Sequence, residues 1–387
     1  MGSADLQVPD DAAPDREPDR NGARSARPGD RARSRQAAPA GSGIASAAFR
    51  PPWWCRNAHL QTIWGPLFRR DRLRWRRERV ATSDGDFVDL DWAADAPARA
   101  PLLLVLHGLE GSSRSHYAVG LMRQAIARGW RAVTLNFRSC SGELNLLRPF
   151  YHSGYTEDLD EVLRMLVVRE PGLRLGAVGV SLGGNVLLKW LGEREAGVPT
   201  ELVGAVAISV PFDLTPCTRA LDRGFCRRVY AANFLRTMRA KVRLKADRDP
   251  GLHGVVDLAL ALRARTFAEY DRAVTAPLYG FVDERDYWTR ASSRPYLSRI
   301  RRPTLLVNAL DDPIVPPEAL PDPATLPPSV RAEFLPQGGH VGFIEGFWPW
   351  RFESWVERRA LDFLASLVPP ECHAPRGGQA SGARPIC

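Results

Sequence analysis

The stretch Leu175–Leu188, LGAVGVSLGGNVLL, sets Ser181 between Gly179 and Gly183 in a G-x-S-x-G spacing. The apolar run before it reads as a buried strand, and the run after it as a helix. A serine at such a strand-to-helix turn is held in a cramped backbone conformation, with its Oγ raised above the end of a sheet. The flanking glycines admit a close approach of strand and helix that a side chain would block. A serine hydroxyl is a weak nucleophile on its own. It needs an imidazole to take its proton and a carboxylate to hold that imidazole in one tautomer.

Two downstream loops carry those groups. Leu310-Asp311-Asp312-Pro313 follows an apolar run, and Gly338-Gly339-His340-Val341 follows another. Of the two aspartates, Asp312 is the preferred acid, because Pro313 braces it just after the strand ends; Asp311 is the alternative acid, or else turns outward and caps the loop. The two glycines before His340 allow that loop to approach the serine. Charge developing on a carbonyl oxygen needs two fixed N–H donors. The backbone N–H of Leu182 is one expected donor. The N–H of Leu109, in the His107-Gly108-Leu109 loop, is the other.

The remaining polar residues near these loops have plainer expectations. His107 orients its loop. His59 packs or hydrogen-bonds to the main sheet. Arg138 scaffolds its loop, with a polar head group as the alternative partner. Tyr151-His152-Ser153-Gly154 marks a loop-to-helix junction, and nothing in the sequence makes Cys140 reactive.

The elements that must position these residues alternate. Residues 74–82 and 87–93 read as strands of a hairpin turning at Ser83-Asp84-Gly85-Asp86. Apolar runs at 102–106, 131–137, 203–209, 303–309 and 330–335 read as further strands. Helical spacing covers 117–128, 158–169 and 351–367. Such alternation predicts an α/β fold, a mostly parallel sheet with helices on both faces. Between about 211 and 293 the rhythm breaks into a helix-prone, basic and aromatic stretch, expected to be an inserted helical cap over the strand C-termini. The Trp-rich stretch 49–64 is expected to pack over the domain surface. Residues 1–44 and 369–387 are poor in large apolar residues and are expected to be disordered, leaving one domain over 45–368.

The chain has 387 residues, 44% of them hydrophobic, and a formal net charge of +9. The arginines of the first 40 residues and of Arg69-Arg70-Asp71-Arg72-Leu73-Arg74-Trp75-Arg76-Arg77 read as solvated or edge-strand charge, with contact to an anionic membrane surface as the sharper alternative. No nucleic-acid-binding module is visible, so no nucleic acid partner is expected. Six cysteines stand apart, with no C-x-x-C pair and no zinc-like spacing. With no apolar leader and no long apolar run, the expected location is cytoplasmic, with reduced thiols.

Several strings together resemble the α/β-hydrolases of the YheT type, relatives of the mammalian ABHD1/ABHD3 group of esterases and phospholipases. They are Arg56–Thr62 (RNAHLQT), Leu106–Gly111 (LHGLEG), Asn136-Phe137-Arg138, Tyr151–Gly154 and Gly179–Asn185 (GVSLGGN). Asp283–Tyr287 with Ser292, Pro303–Asp312 and Gly338–Phe343 (GGHVGF) complete the set. The resemblance covers about 49–368. It implies a carboxylic ester hydrolase acting on small-molecule or lipid esters with no metal and no organic cofactor, and carries the family's serine, aspartate and histidine onto Ser181, Asp312 and His340. Eukaryotic relatives often carry a membrane anchor where this chain has its basic N-terminal stretch. The same triad would also serve an acyltransferase or a thioesterase, and a non-catalytic binding protein could retain the fold.

Overall fold

The computed structural model describes residues 49–93 and 100–368; both tails expected to be disordered, 1–44 and 369–387, lie outside them. Strands β1 (Trp75–Ala81) and β2 (Phe87–Ala93) form the expected hairpin. Then come β3 (Leu102–Leu106), β4 (Arg131–Asn136), β5 (Leu175–Val180), β6 (Leu202–Ile208), β7 (Thr304–Ala309) and β8 (Val330–Leu335). They make an eight-stranded sheet in the order β1-β2-β4-β3-β5-β6-β7-β8. The six strands from β4 to β8 pair in parallel, and β2 joins β4 antiparallel.

The apolar runs of the parallel strands are buried on both faces, and each face has its own core. Leu102, Leu104 and Leu106 of β3 point into one core with Leu159 and Leu163 of α3 (Glu157–Arg169) and Leu187 of α4 (Leu182–Arg194). Leu103 and Val105 point into the other, with Leu121 and Met122 of α2 (His116–Ala127) and Leu361 and Leu364 of the last helix, Trp355–Leu367. Burying a side chain of that size contributes roughly 1.5–3 kcal/mol relative to leaving it exposed. The edge strand carries paired arginine charge: Arg77 and Arg79 of β1 pair across the hairpin with the buried Asp91 and Asp89, at 2.8 and 2.9 Å.

Two segments differ from expectation. The last helix starts at Trp355, not at 351, because Ile344–Trp348 (β9) and Arg351–Ser354 (β10) pair as a small antiparallel hairpin. Gly346, at φ +126, has a backbone conformation that L side chains rarely adopt. The Trp-rich stretch also contains a helix, α1 (Ala58–Phe68), capped by Asn57, whose side chain accepts from the N–H groups of His59 and Leu60.

Between β6 and β7 the chain is helical from Leu214 to Ala291, with a long helix at Ala232–Arg248. This insertion has an apolar core of its own, including Leu235, Val242, Phe267 and Tyr270, joined by Leu144 and Phe150 from the loop after β4. Among the described residues, no helix is long and apolar enough to cross a membrane.

Candidate active site

Ser181 follows β5 and caps α4 with φ +53 and ψ −120. A non-glycine residue held there carries about 1–3 kcal/mol of strain. The glycines beside it have no room for side chains. A Cβ on Gly179 would lie 2.5 Å from the Gly183 carbonyl oxygen, and one on Gly183 would lie 2.5 Å from the carbonyl oxygens of Leu106 and His107. The Ser181 N–H donates to the Ile208 carbonyl at 2.8 Å, which ties the turn to β6.

The loops after β7 and β8 bring the acid and the imidazole to this serine. His340 Nε2 lies 3.0 Å from Ser181 Oγ, and His340 Nδ1 lies 2.8 Å from Asp312 Oδ2. The other oxygen of Asp312, Oδ1, accepts the N–H groups of Ile314 and Val315 at 2.8 and 3.1 Å. The carboxylate is therefore fixed on both sides, and its side chain is fully buried. Asp311 does not turn outward. Its Oδ1 accepts the Gly339 N–H at 2.9 Å and so braces the histidine loop, while burial pushes its carboxyl above the usual range.

The histidine loop is held by three successive amides, each bonded to a side chain from a different element. Gly339 donates to Asp311, His340 donates to Thr62 Oγ1 of α1 at 2.9 Å, and Val341 donates to Ser209 Oγ beyond β6 at 3.0 Å. Gln61, also on α1, is fully buried. Its Oε1 accepts the Ile344 N–H at 2.7 Å, and its Nε2 donates to the Cys55 carbonyl at 2.7 Å. None of Thr62, Gln61 or Ser209 was expected at the site; their neighbours lie far away in the chain, and no spacing rule connects them.

Leu182 is the first residue of α4, where helical N–H groups have no intrahelical acceptor. Leu109 lies between two amides that are already engaged: Gly108 donates to the Tyr117 hydroxyl at 2.8 Å, and Glu110 donates to the Tyr151 hydroxyl at 2.7 Å. The Tyr151 hydroxyl in turn donates to Glu110 Oε1 at 3.0 Å, and Lys241 from the inserted long helix donates to the same oxygen at 2.8 Å. Glu110 itself sits at φ +54. Among the described residues, the N–H groups of Leu109 and Leu182 have no hydrogen-bond partner, and both residues line the pocket that contains Ser181 and His340.

That pocket holds about 770 Å³ of space connected to solvent. Its insertion side is largely apolar, including Leu214, Leu221, Phe234, Met238 and Phe267. A polar exception is Asp271, pushed up to about 7 by burial and bonded to Trp288 and Thr275. A second space of about 430 Å³ adjoins it, sharing Leu109, Tyr151, Met238 and Thr275.

The other residues singled out earlier have structural roles. His107 bonds the Gly108 carbonyl through Nδ1 at 2.8 Å and accepts the Phe137 N–H at Nε2 at 3.1 Å; burial pushes it down to about 4. His59 bonds not to the sheet but to the Tyr230 hydroxyl of the insertion, at 2.9 Å. Arg138 is buried against Asp158 at 2.6 Å and bonds Asp84 at 2.8 Å, so its guanidinium has no free face for a head group. His152 lines the pocket, but its Nδ1 accepts the Gly154 N–H at 3.0 Å. Burial pushes the Cys140 thiol up to about 11, which keeps it protonated at neutral pH.

Residues 101–347 match the family model described as alpha/beta hydrolase fold. The chain is 40% identical over 329 residues to the Escherichia coli (strain K12) protein named "Putative esterase YheT", covering 84% of this chain and 94% of that one. The chain belongs to the YheT-like α/β-hydrolase family. Within the family it is 30% identical over 336 residues to the human protein named phospholipase ABHD3, covering 84% of this chain and 80% of that one. It is 28% identical over 332 residues to the embryogenesis-associated protein EMB8 of Picea glauca, covering 82% and 72%. In this YheT-like chain Asn185, three residues beyond the helix start, ties the strand-to-helix turn at Ser181 to the insertion. Its Nδ2 donates to the carbonyls of Ser153 and Ala291 at 2.7 and 2.8 Å, and its Oδ1 accepts the Ser293 N–H.

Proposed function

We propose that the chain hydrolyses carboxylic esters of short- to medium-chain or lipid-like acyl groups through an acyl-enzyme on Ser181. The observation that carries this reading is the continuous line from Asp312 Oδ2 through His340 to Ser181 Oγ, at 2.8 and 3.0 Å, with the serine on a strained turn. His340 Nε2 takes the hydroxyl proton as Oγ attacks the ester carbonyl. Asp312 keeps the other proton on Nδ1 and stabilises the imidazolium. The N–H groups of Leu109 and Leu182 receive the negative oxygen. His340 then protonates the leaving alcohol, and a water activated by the same imidazole releases the acid.

The apolar side of the pocket supports an apolar acyl chain as the bound part of the substrate. The names of two relatives, an esterase and a phospholipase, point to the same bond class. Ser181→Ala is expected to abolish labelling by a fluorophosphonate probe and to lower ester turnover by about a thousandfold or more. Labelling that persists in the variant overturns the nucleophile assignment. A panel of ester chain lengths, with products analysed in water and in competing alcohols, assigns the acyl preference and separates hydrolysis from acyl transfer.

A further inference from the structure

The outward face of α1 is apolar. Leu60, Trp64, Leu67 and Phe68 follow i, i+4, i+7, i+8 spacing and share one side of the helix. Leu60, Leu67 and Phe68 are exposed, whereas the buried positions are Gln61 and Gly65. A surface helix of a water-soluble domain ordinarily places its apolar stripe inward. The tip of the β9–β10 hairpin continues the patch, with Phe347 67% exposed and Trp350 78% exposed. Trp348 and Trp350 stack with ring centroids 5.3 Å apart. The two parts are joined: the indole N–H groups of Trp54 and Trp64 donate to the Gly346 and Pro349 carbonyls at 3.1 and 3.3 Å, and the Trp54 and Trp64 rings lie 4.9 Å apart.

Cations flank both parts in the chain. Arg56, Arg70, Arg72 and Arg351 are exposed. The acidic groups near them are already taken, Asp71 by Arg69 and Arg123, Glu357 by Arg69, and Glu345 and Glu353 of the hairpin by Arg358. Among the described residues these four arginines make no ion pair. An exposed aromatic patch of this kind marks an interaction surface. Indole rings favour the boundary between hydrocarbon and head groups, and unpaired arginines next to them complement phosphate charge.

We propose that the α1 face and the β9–β10 tip together dock the protein onto an anionic lipid surface. The docking is peripheral: the tryptophan, phenylalanine and leucine side chains enter the head-group boundary, and the arginines lie on the phosphates. This stands apart from the hydrolytic reading, because it needs no reaction at Ser181. It does place the membrane-facing helix directly behind the histidine loop, through Thr62 and Gln61.

The test is sedimentation of the full-length chain with vesicles of phosphatidylcholine alone and of phosphatidylcholine with phosphatidylglycerol, at low and high salt. The expected result is binding to the anionic vesicles that weakens with salt. The pair Leu67→Ser and Trp350→Ser, and separately the pair Arg70→Glu and Arg72→Glu, should each weaken partition by about tenfold or more. Circular dichroism and turnover of a water-soluble short ester should be unchanged. All four positions are exposed, and the arginine pair carries the test if the serine pair misfolds. A chain that stays in the supernatant overturns the proposal. So does binding that both pairs leave intact, which would assign it to another segment such as residues 1–48. A dimer in light scattering that the serine pair dissolves also overturns it, since the face would then belong to a second copy.

Discussion

Thr62 and His340, 278 residues apart in the chain, meet where the threonine hydroxyl accepts the histidine N–H at 2.9 Å. The imidazole that reaches Ser181 is thus positioned by a neighbouring helix that is distant only in the chain. Thr62→Val removes the acceptor and keeps the shape. It is expected to lower kcat for ester hydrolysis by about tenfold while KM stays nearly constant, and to cost about 1 kcal/mol of stability. Steady-state kinetics together with urea unfolding check this; a raised KM with unchanged kcat would assign Thr62 to substrate binding.

The adjacent carboxylates Asp311 and Asp312 face different partners, so their amides should behave differently. Asp312→Asn presents a donor to His340 Nδ1 and favours the wrong tautomer, with an expected loss in kcat on the order of 10⁴. Asp311→Asn keeps an oxygen for the Gly339 N–H and should cost about tenfold or less. Comparing kcat for the two variants on one ester decides which carboxylate serves the imidazole.

Two phenols bracket the Leu109 amide. Tyr117→Phe leaves the Gly108 N–H without its acceptor, and Tyr151→Phe does the same to Glu110 and also removes a donor to its carboxylate. Each is expected to reduce kcat by about 10- to 100-fold with a smaller change in KM, because the Leu109 N–H, proposed above to receive the negative oxygen, is displaced while the apolar pocket remains. Equal losses in kcat and stability, with binding also lost, would instead assign the tyrosines to general packing.

Acid should expose the buried imidazoles. Burial holds His152 down to about 3, helped by Lys189 and Arg290, and His107 down to about 4. In the unfolded chain both titrate near ~6.5. Their stabilising contribution is complete above that pH and is lost as pH falls from there towards 4 and 3, each site adding a slope approaching ~1.4 kcal/mol per pH unit. Glu357 works in the opposite direction: burial raises it to about 7 against the pull of Arg69, so its contribution is complete below the unfolded value and is lost as pH rises through 7. The comparison of wild type with His152→Gln isolates one imidazole. The drop in unfolding free energy between pH 7 and pH 5 should be about 1–2 kcal/mol smaller in the variant, measured by urea titration at both values.

The parts of the fold that were legible were local. Five-residue apolar runs such as Leu102–Leu106 fit strands buried on two faces, and the glycines around Ser181 mark a turn whose geometry is set within a few residues. The order of serine, aspartate and histidine put three loops on one sheet edge. Contacts made by side chains with distant backbone left no trace in spacing: Thr62 on His340, Gln61 on Ile344, Tyr117 and Tyr151 on the loop around Leu109. Residues 351–354 run on into the helical spacing of the last helix, and the positive φ of Gly346 that favours their pairing as a hairpin shows only in three dimensions. His59 packs, as one of its two expectations had it, against Phe225 and Tyr230; that its hydrogen bond goes to Tyr230 left no trace in spacing, since the two lie 171 residues apart.

The seat of α1 has a consequence for how the molecule is made. Gln61 and its partner Ile344 are separated by 283 residues. A ribosome adding roughly 5–20 residues per second needs roughly 15–60 s to synthesise the second after the first. For that interval Gln61 lacks the Ile344 N–H that its Oε1 accepts in the folded chain. The loop that brings His340 to Ser181 is supplied by the same late segment. Closure of the histidine loop on Ser181 and burial of the Gln61 side chain therefore wait on one and the same segment, synthesised long after α1.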